Sequence, residues 1–132
     1  MAVTGNFNPH VLSASTLAGD AIYNAEGEHL GELKEIMLDL NTGQVAYAVL
    51  SFGGFLGMGD KLFAVPWEAL SVDTERQYIV LDVSKERLED APGFDKDNWP
   101  ETPDREFIAE IYSHYGYAPY YERYVHTEAV TP

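Results

Sequence analysis

Three rhythms of apolar and polar positions follow one another along the chain. Residues 1–14 keep no period, because Gly5, Asn6, Asn8 and Pro9 interrupt it, and they read as a loose arm. From Leu17 to Val83, short apolar segments alternate with turn signals at close spacing, which predicts a small all-β barrel or sandwich. "LAGDAIYN" reads as a first strand, and "AEGEHLG" as a turn with Gly27 and Gly31 available for positive φ. "ELKEIMLDL" has mixed faces that also fit a helix; the following "NTG" turns it toward a hairpin strand. "QVAYAVLSF" is apolar on both faces, as suits a strand covered on both sides. "KLFAV" is a fourth strand, ended by Pro66. "PWEAL" reads as one helical turn with Pro66 at its first position. "QYIVLDV" is the last clear strand, with Ile79, Leu81 and Val83 on one face.

After Val83 the period lengthens. "SKERLED" is a short helix with Ser84 placed to cap it. "APGFDKDNWPETPD" has no period and reads as an ordered wrap or a linker. A helix is predicted to start near Asp104, where Phe107, Ile108, Ile111, Tyr112 and Tyr115 make one apolar stripe, and to stop at Gly116. The tail "YAPYYERYVHTEAVTP" is rich in tyrosine and irregular. The chain thus divides into an arm (1–14), a β domain (15–99) and a C-terminal helix and tail (100–132). A weak repeat links "LDLNTGQVAYAVL" with "LSVDTERQYIVL", which predicts two similar hairpins turning at Asn or Asp plus Thr. Two such units could close a barrel and remove its edges.

Composition narrows the function. The 132 residues are 45% hydrophobic and carry a formal charge of −14, so a folded acidic domain is expected. That charge repels phosphate backbones and anionic membrane surfaces, which argues against direct nucleic-acid binding. The absence of cysteine excludes disulfides, thiol catalysis and thiolate metal sites. The N-terminus has no basic and apolar leader pattern, and no run of 18 apolar residues occurs, so a cytoplasmic protein without membrane insertion is expected.

Candidate chemistry centres on "SFGGFLGMGDKLFAVPW". Gly54 and Gly59 have the separation of a phosphate-binding loop, but Asp60 intervenes before Lys61 and Leu62 stands where a hydroxyl would hold magnesium. The segment also leads into a strand rather than a helix, so it reads as a hairpin connection. Its apolar residues Phe55, Leu56 and Met58 either fold back over the barrel end or form an interaction patch. His10, His29, His114 and His126 make no ligand pattern, and the calcium-like "DKDN" lacks the full loop. Neither a metal nor a cofactor is expected. Glu35 and Asp39 would share a strand face, where solvation accounts for them. No nucleophile elbow is present. The stripe on Phe107, Ile111 and Tyr115 must be covered, by its own barrel or by a neighbouring subunit. The tail's Tyr120 and Tyr121 have the composition of an interface, and a homodimer is expected.

The run "LAGDAIYNAEGEHLGELKEIMLDLNTGQVAYAVLSFGGFLGMGDKLFAVPWEAL", followed by "YIVLDVSKERLEDAPGFD", resembles the PRC-barrel family, the barrel of the photosynthetic reaction-centre H subunit. The resemblance implies a small, highly twisted β-barrel with short helical turns that works through protein contacts and is no enzyme by itself. The expected function is therefore a non-enzymatic protein-interaction or assembly adaptor. The alternatives are ligand or cofactor binding at the barrel end around Phe55, Met58 and Trp67, and, by family analogy, an accessory role in ribosome assembly or a photosynthetic complex.

Overall fold

The computed structural model describes residues 10–52, 61–95 and 105–122. Seven strands form one sheet: β1 (Ala21–Tyr23), β2 (His29–Leu38), β3 (Val45–Phe52), β4 (Lys61–Val65), β5 (Leu70–Asp73), β6 (Tyr78–Leu81) and β7 (Gly93–Asp95). Their spatial order is β5-β6-β1-β2-β3-β4-β7. Neighbours are antiparallel except β1 and β6, which pair in parallel. Three helices accompany them: α1 (Ala14–Leu17), α2 (Lys85–Glu89) and α3 (Arg105–Tyr115).

The mostly-β class matches the expectation, whereas closure does not. Among the described residues no pairing joins the edge strands β5 and β7, so the sheet is open. The two edge strands are only four and three residues long, too short to supply a long seam of ladder bonds. Side chains do what hydrogen bonds do not. Ile79 and Leu81 of β6, Ile22 of β1, Leu50 of β3 and Phe63 of β4 join Leu17 of α1 and Leu88 of α2 in one apolar core on the inner face.

Local chemistry explains most elements. Leu17 ends a helix rather than opening the first strand, because the Ser13 hydroxyl accepts the Thr16 N–H and caps that turn. Ser84 caps α2 in the same way through the Arg87 N–H. Pro66 stands just before the single 3-10 turn Trp67–Ala69, one position earlier than expected. The strand β7 was not legible in "APGFDKDNWPETPD"; it forms because the edge of β4 offers ladder partners to Gly93 and Phe94.

The two repeated hairpins exist, but their turns are set by different residues from those that the repeat aligns. Asp39 and Asp73 each accept backbone N–H bonds from the turn that follows, from Asn41 in one and from Glu75 and Arg76 in the other. In each, the backbone carbonyl of the Asp accepts from the fifth residue of the turn, Gly43 or Gln77, at 2.8 Å. That fifth residue is left-handed in both, with φ of 76° at Gly43 and 60° at Gln77. Glycine adopts this region freely and glutamine does not. Gln77→Gly should therefore raise stability by roughly 0.5–1 kcal/mol, read as a higher urea midpoint at unchanged slope.

Gly31 has a stricter role. Its φ is 135°, and a methyl group there would overlap the Ser51 carbonyl oxygen of the neighbouring strand. Gly31→Ala should lose about 3 kcal/mol or more, from backbone strain and overpacking together. Gly27→Ala, at φ 87° with open space around it, should lose about 1 kcal/mol. Denaturant melts of the two variants would measure the difference, and equal losses would refute the close approach.

Candidate functional site

β3 is apolar on both faces, as its sequence predicted, and the structure shows what covers each. Ala48 and Leu50 point into the inner core. Tyr47 and Val49 point the other way, where with Leu62 and Ala64 of β4 they meet Ile108, Ile111 and Tyr112 of α3. The apolar stripe of α3 is thus covered by its own sheet. Tyr112 is buried in that layer and its hydroxyl donates to the Ala46 carbonyl at 2.6 Å. Burial pushes its pKa up.

Two further contacts lie at the C-terminal end of α3 and just beyond it. Arg87 on α2 donates from its guanidinium to the His114 carbonyl, and the His114 Nε2 donates to the Arg87 carbonyl at 3.0 Å. Beyond α3, the chain turns at Gly116 and places Tyr120 on the β2–β3 hairpin. There the Tyr120 hydroxyl donates to Asp39 Oδ2 at 2.6 Å. This bond, followed by the Asn41 N–H, holds the Asp39 carboxyl below its ordinary value, while burial and the facing carboxylate push Tyr120 up. Asp39 was expected to be a solvated strand residue sharing a face with Glu35. It lies instead past the strand end, because β2 carries irregularities between Leu33 and Glu35 and between Met37 and Leu38 that break simple alternation.

Between this hairpin and α3 opens a groove of about 780 Å³, lined by Met37, Leu38, Leu40, Tyr47, Arg105 and Ile108 among others. Leu38 is 58% exposed and Leu40 is 92% exposed. Tyr47 is only 1% exposed, yet its hydroxyl has no hydrogen-bond partner. Arg105 lies over the Tyr121 ring, 4.7 Å from its centroid. The arrangement suits holding more than reacting. Burial keeps the Tyr47 hydroxyl a protonated donor, and Asp39, with a lowered pKa and its oxygens bonded, is a poor proton acceptor.

The residues singled out in the sequence fall in different places. Ile111 and Tyr120 are buried, and Phe107 stands edge-on to Tyr47 with centroids 5.9 Å apart. Tyr121 is half-buried at the groove. Tyr115 reaches past the sheet to pack against the inner core, where burial raises its pKa. Phe55, Leu56 and Met58 lie outside the described residues. Trp67 borders a separate small cleft of about 210 Å³ with His10, Leu12 and Leu17. Among the described residues no group of three or more His, Asp or Glu could hold a metal ion. Sequence reasoning missed Leu38, Leu40 and the Tyr47 hydroxyl. The legible signal was a leucine inside the turn "DLNTG", where polar residues are the rule.

These features define a small, mostly-β domain with one mixed sheet, short helices and an open groove beside its C-terminal helix. The chain belongs to the PRC-barrel domain family, whose match spans residues 9–88. That span contains β1–β6 and most of α2, and stops before β7 and α3. No curated protein matches the chain. Among the described residues no helix is long and apolar enough to cross a membrane.

The Tyr120–Asp39 bond gives a pH test. A carboxyl whose folded pKa is lowered adds stability above its ordinary value of 3.8, and that stability is lost as pH falls through the folded value. Tyr120→Phe keeps the ring and removes the donor. It should cost about 1 kcal/mol near neutral pH, and the gap to the native protein should close as pH falls below 3.8. Carboxyl NMR titration should show Asp39 moving up in the variant. A gap independent of pH would refute the linkage.

Proposed function

We propose that this protein is a non-enzymatic PRC-barrel module that binds another protein through the groove between the β2–β3 hairpin and α3. The exposure of Leu38 and Leu40 beside the groove carries the reading, since two large apolar side chains on a hairpin end favour a covered state. The saturated Asp39 and the protonated tyrosines support holding over chemistry. Ile111 and Tyr120 already pack within their own chain, which favours a different protein over a copy's tail as the occupant.

A photo-crosslinking residue placed at position 40 in the native cell should give one discrete protein adduct. The same residue at position 11, where Val11 is also exposed, should not give that adduct. No adduct at position 40, or the same pattern at both positions, would overturn the reading.

A further inference from the structure

Met37 is the edge of the groove on β2, and the strand continues beyond it. The irregularity between Leu33 and Glu35 places Glu32 opposite Ser51 and Glu35 opposite Val49, while Met37 stands opposite Tyr47. Residues paired across a ladder share a face, so Glu32 and Glu35 lie on the same side of β2 as Met37, the side on which α3 packs. Three positions apart, they would point to opposite faces in a regular strand. Both are exposed, and neither has an ion-pair partner among the described residues. Next to the apolar groove, the same face of β2 therefore presents two exposed carboxylates that make no ion pair among the described residues.

Lys34 stands in the irregularity between Leu33 and Glu35 and makes no ion pair among the described residues; the charges nearer the groove have the same sign as the two carboxylates or are already engaged. Glu122 follows Tyr121, Glu106 follows Arg105, and the Asp39 oxygens accept from Tyr120 and Asn41. Arg105, the cation that lines the groove, lies against the Tyr121 ring. The chain as a whole carries −14. The Tyr47 hydroxyl has no hydrogen-bond partner among the described residues and lies buried beneath the groove, out of reach of an occupant.

We propose that the groove takes a basic, leucine-bearing segment of the partner protein. Its apolar side chains seat on Met37, Leu38 and Leu40, and its lysines or arginines meet Glu35 and Glu32. The proposal rests on the preceding reading of the groove as a protein-binding site and names the chemistry of its occupant. An anionic segment or a nucleic acid would face uncompensated repulsion along the same track.

Three synthetic 18-residue amphipathic peptides test it, made of leucine with lysine, with glutamine or with glutamate. Each is titrated into the full chain and followed by two-dimensional amide NMR. The leucine–lysine peptide should shift the amides of residues 32–41 and 47. Charge reversal by Glu32→Lys with Glu35→Lys should weaken it about tenfold or more, and Leu40→Ser should weaken it as well. Equal groove binding by the glutamine or glutamate peptide would overturn the basic chemistry and leave the groove reading standing. Shifts spread over the acidic surface and insensitive to Leu40→Ser would also overturn it. A groove that responds to none of the three would overturn the groove reading itself.

Discussion

The structure depends on one constraint: β3 and β4 are apolar on both faces, so the sheet needs a cover on each side. The inner face gains its cover from α1, α2 and the strands of the sheet itself, which gather around Leu50 and Phe63. Among the described residues the other face is covered by α3, with Phe94, Tyr120 and Tyr121 beside it. Burying a side chain such as Ile111 against Val49 and Leu62 contributes about 1.5–3 kcal/mol, enough that three or four of them decide where the helix sits. The family match ends at residue 88, so the cover for one whole face comes from outside it.

The position of α3 is fixed at its C-terminal turn and along its length. The reciprocal Arg87 and His114 bonds tie its C-terminal turn to α2, and the Arg87 cation satisfies a terminal carbonyl that the helix itself cannot. Tyr112 reaches Ala46, and Tyr120 reaches Asp39. These contacts tie the helix to the hairpin end as well as to the strands, and the wall of the groove is the result. Because α3 packs on β3 and β4, the same face of β2 remains open, with Glu32, Glu35 and Met37 in a row. Cover and groove are thus two consequences of one helix placement.

Much of this was legible residue by residue. Period-2 segments and Asn, Asp and Gly turns marked β2, β3, β4 and β6, and Ser84 and Gly116 marked helix ends, because those signals act over a few neighbouring residues. The edge strand β7 was hidden, since three residues paired to an edge carry no period of their own. Asp39 was misread as sharing a strand face with the solvated Glu35, for a specific reason. An irregular ladder shifts which residues share a face, and alternation counted along the chain cannot register it.

The sequence by itself determined the mostly-β class, the acidic surface, the local caps and the demand that β3 be covered twice, because composition, period and turn chemistry are properties of short stretches. Only the tertiary structure decided that no pairing among the described residues closes the sheet, that α3 is the second cover, that Tyr120 bonds an aspartate 81 positions away, and that Leu38 and Leu40 are left beside an open groove. Those outcomes depend on contacts between distant segments and on ladder register, which no stretch of the chain contains by itself.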